Sequence, residues 1–122
     1  MNAIRPDELD ERLSAGPEPL VLDIRPASSY EGGSIEGSDN VPVYNELRGG
    51  NESALRDRLD EIPNDREVVV VCKMGIVAKK ATRILNAEGY DATTLRGGMS
   101  GWNGYQNGSL TYKIRSVLWK LR

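Results

Sequence analysis

The sequence predicts an α/β fold in which a central parallel sheet is flanked by helices. Four consecutive valines at 68–71 are β-branched and show no helical period, which is typical of a strand buried on both faces of a sheet. Short apolar runs alternate with helical patterns along the chain, and this order favours parallel strands joined by right-handed crossovers. With 122 residues, the chain has room for one compact domain with one core.

The first predicted elements are a helix and a strand. Pro6 begins the helix, because acids fill its first turn and Leu9 and Leu13 lie one turn apart. Gly16 marks the end of this helix. Residues 19–26 predict an apolar strand that becomes polar towards its end and is stopped by a proline.

The middle of the chain predicts smaller elements before the valine strand. Residues 28–31 predict one helical turn, and a glycine-rich run then leads to a short strand near Asn40. Leu55, Leu59 and Ile62 repeat at helical spacing, so we expect one helix that ends shortly before the valines.

The valine strand ends at Cys72, and a new helical pattern begins near Val77 and ends at Gly89. The cysteine therefore lies at the C-terminal end of a central strand, where open α/β sheets bind their ligands. We expect the amides of residues 73–77 and the start of the helix to converge on the group that the sulfur carries. Such a site favours an anion.

The last predicted elements follow this helix. Residues 90–95 predict one more strand, and residues 96–102 predict a glycine-rich turn closed by Trp102. We assign residues 1–104 to the domain and residues 105–122 to a C-terminal extension with a basic amphipathic helix. Through residues 110–122, that helix either folds back on the domain or contacts a protein or an anionic membrane surface.

Composition excludes several classes of chemistry. The chain has no histidine and one cysteine, which removes Cys–His and Ser–His catalysis, an intrachain disulfide and a cysteine-cluster zinc site. We therefore expect no metal and no cofactor. The net charge is −2, and the acidic body of the chain argues against nucleic acid as a partner. No stretch resembles a signal peptide or a bilayer span, so a cytoplasmic location is expected.

Several short motifs occur along the chain in a characteristic order and spacing. With them, the chain resembles the rhodanese-like domain family over roughly residues 3–104. The motifs are Leu22-Asp23-Ile24-Arg25-Pro26, Tyr30-x-x-Gly33-x-Ile35-x-Gly37, Val41-Pro42, Val69-Val70-Val71-Cys72-Lys73-x-Gly75, Gly89-Tyr90 and Gly97-Gly98-x-x-Gly101-Trp102.

The resemblance implies a rhodanese-like fold and a single-domain sulfurtransferase. In this family a cysteine accepts a sulfane sulfur as a persulfide and passes it to a nucleophilic acceptor, and Cys72 is the implied catalytic residue. The donor would be a small thiosulfate-type compound or a protein persulfide. The candidate substrate-binding residues are Lys73, Met74, Gly75, Ile76, Val77 and Arg25.

Departures from the family pattern leave alternatives open. Val77 and Ala78 stand where the family often has a cation or hydroxyl donor, so the alternative function is a non-catalytic binding or regulatory module. Related phosphatases need an arginine at the position of Ala78, which argues against phosphatase chemistry. Arg25 either approaches the pocket or forms a structural ion pair with Asp23, and Lys73 either attracts anions or is simply solvated.

Overall fold

The computed structural model describes residues 2–108, and its centre is a five-stranded parallel sheet. The strands are β1 (Ala3–Ile4), β2 (Leu20–Asp23), β3 (Asp39–Asn40), β4 (Val68–Val71) and β5 (Ala92–Leu95). Their order in the sheet is β1-β5-β4-β2-β3, which places the valine strand β4 at the centre. The predicted α/β class with a central parallel sheet is therefore confirmed.

Helices cover both faces of this sheet. They are α1 (Pro6–Ala15), α2 (Ala27–Glu31), α3 (Tyr44–Arg48), α4 (Ser53–Arg56), α5 (Val77–Ala87) and α6 (Gly98–Gln106), with a 3-10 turn at Leu59–Glu61. Side chains of α1 and α6 pack in one apolar cluster, and side chains of α3, α4 and α5 pack in the other. Within residues 2–108, no helix is both long and apolar enough to cross a bilayer.

The four valines of β4 supply both cores. Val68 and Val70 belong to the cluster with α3, α4 and α5, whereas Val69 and Val71 belong to the cluster with α1 and α6. This division follows from the two-residue side-chain period of a strand. Cys72 continues the alternation and packs with Val68 and Val70, so its side chain is directed to the α5 side of the sheet.

One predicted helix is interrupted in the structure. The pattern of Leu55, Leu59 and Ile62 predicts continuous helix, but α4 ends at Arg56 and only a 3-10 turn follows. Pro63 has no amide hydrogen to donate to the Leu59 carbonyl, and the hydroxyl of Tyr90 donates to the carbonyl oxygens of Leu59 (3.0 Å) and Ile62 (2.7 Å) instead. Leu55 and Ile62 are buried in spite of the break.

A second correction concerns residues 96–102, where the predicted turn is the start of helix α6. Gly97 has a positive φ of 77° and makes the turn itself, and the helix then begins at Gly98. Glycine has low helix propensity, so the sequence pattern underestimates this helix. Trp102 is buried as expected. The predicted C-terminal helix of residues 110–122 lies outside the described residues.

The interrupted helix gives a testable stability difference. Tyr90→Phe should lower the free energy of unfolding by about 1–2 kcal/mol, because the Ile62 carbonyl loses its hydroxyl donor and the Leu59 carbonyl keeps only its bond from the Ile62 amide. Urea denaturation measures the difference, and Tyr44→Phe is the matched control, since the Tyr44 hydroxyl makes no hydrogen bond within residues 2–108. Equal losses in both variants would contradict this account.

The same side chain predicts a pH dependence. Burial, followed by the charges of Asp60 and Glu88, raises the pKa of Tyr90 in the folded protein. The unfolded chain then loses the Tyr90 proton first, so wild-type stability should fall as pH rises above about 10. We expect this fall to be smaller in Tyr90→Phe when the unfolding free energies are compared at several pH values.

Candidate functional site

The sulfur of Cys72 lies beneath the loop that joins β4 to α5. The residue is 1% exposed, and its Sγ accepts hydrogen bonds from the amides of Gly75 (3.1 Å) and Ala78 (3.3 Å). The first donor belongs to the loop and the second to the first turn of α5. Two N–H groups directed at one sulfur form a small cradle for negative charge, and the positive end of the helix dipole adds to it.

Close backbone packing gives this loop its shape. Gly75 has a φ of +87°, and a Cβ there would lie 3.1 Å from the Gly97 nitrogen and 3.2 Å from the Leu95 oxygen. At Gly98, with a φ of +57°, a Cβ would lie 2.3 Å from the carbonyl oxygen of Cys72. Only glycine fits these two positions, since the loop and the turn before α6 meet backbone to backbone.

The amino end of α6 holds the start of the loop. The amide of Met99 donates to the carbonyl of Cys72 (2.8 Å), and the amide of Ser100 donates to the carbonyl of Lys73 (3.0 Å). These amides belong to the first turn of a helix, where no carbonyl of the helix itself is available to them. The contact therefore satisfies both partners and fixes the two peptide groups that follow Cys72.

A first cleft, the α2 cleft, opens beside the loop with a volume of about 380 Å³. Lys73 and Arg25 both line it, together with Pro26, Ser29, Tyr44, Asn45, Met99, Ser100 and Asn103. Two of the predicted binding residues therefore meet in one cleft. The exposed positive charge of Lys73 favours an anion there.

Arg25 forms a structural ion pair and also lines the α2 cleft. Its Nε lies 3.0 Å from Oδ1 of the buried Asp23, its Nη2 lies 2.8 Å from Oδ2, and Nη2 also donates to the carbonyl of Gly33 (2.7 Å). The Asn40 side chain donates to the carbonyls of both Asp23 and Arg25 at 2.9 Å. The ion pair with Asp23 is therefore present, and it holds Arg25 rigidly at the rim of the α2 cleft.

A second cleft, the α5 cleft, lies along α5 and has a volume of about 590 Å³. Met74, Gly75 and Ile76 line it. The side chains of Met74 and Ile76 are 55% and 69% exposed, and they are the exposed large hydrophobic residues of 2–108. The remaining lining residues are Asn2, Ala3, Lys79, Thr82, Arg83, Asn86, Thr94, Arg96 and Gly97.

The predicted residues are therefore divided among three environments. Val77 is 7% exposed and packs in the core with Cys72, so it lines neither cleft. No group of three or more histidine, cysteine, aspartate or glutamate side chains within residues 2–108 is placed to hold a metal ion.

Sequence reasoning missed two features of this site. The amide of Ala78 lies one residue beyond the predicted stretch 73–77, and the contribution of Met99 and Ser100 was not anticipated. The signal for the second was present in the pair Gly97-Gly98, because adjacent glycines after a strand permit a close approach of two backbones.

The contact between the loop and α6 can be tested at Gly98. Gly98→Ala should lower stability by more than about 2 kcal/mol, because the new Cβ clashes with the Cys72 carbonyl in addition to its unfavourable φ. Gly50→Ala is the control, since Gly50 also has a positive φ (+90°) but a Cβ added there would meet no atom within 4 Å. Urea denaturation that gave equal losses would contradict the clash.

Known proteins share this sequence pattern. The family model described as a rhodanese-like domain matches residues 5–105. The chain is 30% identical to a sulfurtransferase of Allochromatium vinosum over 103 residues, which are 84% of this chain and 88% of that protein. It is 35% identical to an HTH-type transcriptional regulator of Mycobacterium tuberculosis over 83% of this chain, but it spans only 41% of the regulator.

A solved structure supports the same grouping. The crystal structure of a rhodanese-related protein from Thermoplasma volcanium superposes with a TM-score of 0.71 at 26% identity. The match covers 86% of this chain and 93% of the other.

Proposed function

The chain belongs to the rhodanese-like domain family, and from that premise we propose that it is a sulfurtransferase that carries a sulfane sulfur as a persulfide of Cys72. The observation that carries this proposal is the pair of amides, from Gly75 and Ala78, whose N–H groups donate to Sγ. Backbone donors of this kind stabilise a sulfur anion without any side-chain base. The similarity to a protein named as a sulfurtransferase supports the same chemistry.

The proposed reaction has two displacement steps. The Cys72 thiolate attacks the outer sulfur of a thiosulfate-type donor, a new S–S bond forms at Sγ, and the old S–S bond breaks with its electron pair on the departing sulfite. A nucleophilic acceptor then attacks the outer sulfur of the persulfide, and the electron pair of the Sγ–S bond returns to Cys72 as thiolate. Neither step needs a proton from the protein, which suits a chain without histidine.

Mass spectrometry of the intact protein tests this proposal. Incubation with thiosulfate or a small persulfide donor should add about 32 Da, one sulfur atom, to the wild-type protein. The added mass should disappear with a reducing thiol and should be absent in Cys72→Ser. An equal gain in Cys72→Ser, or no gain with any donor, would overturn the assignment.

Lys73 is proposed to attract the anionic donor at the α2 cleft. Lys73→Gln should slow persulfide formation from thiosulfate about three- to tenfold at low ionic strength, because an exposed positive charge near the cleft raises the local concentration of a dianion. The unfolding free energy should not change. Arg66→Gln is the control, since Arg66 is also exposed but precedes β4 at the opposite edge of the sheet. An equal decrease in both variants would argue against a local role.

A second candidate function is a regulatory module in which Cys72 performs no chemistry. The similarity to the Mycobacterium tuberculosis transcriptional regulator favours it. So does the burial of Val77 and Ala78, which supply the sulfur with no side-chain donor. The mass measurement separates the two candidates, because a regulatory module of this kind would leave Cys72 unmodified by every donor.

A further inference from the structure

We propose that the surface around the loop binds an acidic protein partner, which delivers its sulfur to Cys72 from a cysteine persulfide. This inference rests on the proposed function and adds the class of donor. The surface, called here the docking face, consists of Met74, Ile76, Lys79 and Arg83. Four observations carry the inference.

The first observation is the apolar part of the docking face. Met74 and Ile76 are more than half exposed, although the loop that carries them is tightly held by backbone contacts to Gly97 and Gly98. Isolated exposed hydrophobic residues are common on proteins, but two on the fixed loop that follows Cys72 form a contact point for another molecule. Small inorganic anions gain nothing from such side chains.

The second observation is the charge around these residues. The whole stretch 68–87 contains no acid, although the chain as a whole is acidic. Lys79 is exposed, and Arg83 is 66% exposed, with its Nη2 3.5 Å from a carboxylate oxygen of Glu52. This cationic area on an acidic protein complements a partner whose own surface is acidic.

The third observation is the size and direction of the α5 cleft. It extends from Ile76 along α5 to Asn86 and across to Asn2 and Ala3 beside the edge strand β1. A volume of about 590 Å³ is far larger than thiosulfate requires. Clefts of this size typically hold a drug-sized organic ligand, which is much larger than an inorganic anion.

The fourth observation is the depth of the sulfur. Cys72 is 1% exposed and lines neither cleft. A donor must therefore pass the loop to reach the sulfur, and the exposed side chains of that loop are Lys73, Met74 and Ile76. A partner that binds these side chains holds its persulfide close to the sulfur of Cys72. A freely diffusing donor reaches that sulfur only by random collision.

The proposed transfer balances without any further reactant. The Cys72 thiolate attacks the outer sulfur of the partner's cysteine persulfide, R–S–SH. The S–S bond of the partner breaks, its electron pair leaves on R–S⁻, and Cys72 becomes Cys–S–SH with the same proton.

Two synthetic peptides test the inference. Each ends in a cysteine persulfide and carries one leucine, but one has four glutamates where the other has four glutamines. We expect the acidic peptide to transfer sulfur to wild-type Cys72 about tenfold faster at low ionic strength, as measured by the gain of mass with time. The difference should vanish in about 1 M salt, where surface charges are screened.

Charge-reversed variants locate the effect. Lys79→Glu and Arg83→Glu should each lower the ratio of the acidic to the neutral rate at least threefold, because they place a negative charge in the docking face. Arg66→Glu makes the same change of charge at the opposite edge of the sheet and should leave the ratio unchanged. The ratio cancels any effect on the chemistry itself, which is common to both peptides.

The outcomes separate this inference from the proposed function. If both peptides and thiosulfate load Cys72 but the two peptide rates are equal, the docking inference is wrong and the sulfurtransferase proposal stands. A ratio that falls equally in Arg66→Glu would also overturn the docking face, because net charge alone would explain it. If no donor modifies Cys72, the proposed function itself fails, and the inference fails with it.

Discussion

The site depends on one backbone contact, in which the amino end of α6 lies against the two peptide groups that follow Cys72. The amides of Met99 and Ser100 bind the carbonyls of Cys72 and Lys73, and the absence of a side chain at Gly98 lets them approach. Without this contact, both carbonyls and both helix-end amides would need other partners, and a buried polar group without one costs about 1–3 kcal/mol. The loop is thus held from outside by α6, and its own amides remain available to the sulfur.

The register of the central strand determines which amides those are. Cys72 follows the alternation of Val68 and Val70, so its side chain lies on the α5 side of the sheet, where the Ala78 amide reaches it. A slip of one residue would turn the sulfur towards α1 and α6 and away from the helix start. Because β2 pairs with β4 in parallel register, Asp23 lies beside Val71, and the end of β2 reaches the same sheet edge. This pairing brings Arg25 to the α2 cleft.

Local patterns predicted the parts of the fold that depend on local interactions. The four valines, the amphipathic start at Pro6 and the helix after Cys72 each have a period that one strand or helix explains, and all three elements are in the structure.

The failures have a different origin. The segment after α4 is held by the hydroxyl of Tyr90, 31 residues from Leu59 along the chain. Helix α6 begins among glycines because it packs on the cysteine loop, a contact between distant residues that no local pattern contains. The sequence predicted that backbone amides would surround the sulfur. Which amides do so depends on how the loop closes, so the amide of Ala78 was missed.

Because residues 77 and 78 are apolar, different groups of the loop bind the sulfur and face the solvent. Val77 and Ala78 are buried in the core, so the hydrogen bonds to sulfur in residues 2–108 come from backbone amides. Backbone donors are positioned by the fold and are insensitive to the identity of most loop side chains. Lys73, Met74 and Ile76 are therefore not needed to hold charge on the sulfur, and all three are exposed. In such a loop the backbone amides can keep binding the sulfur while the exposed side chains differ according to the molecule that they contact. A cation and two large apolar side chains on that outer surface favour a partner that is both acidic and apolar over a small anion alone.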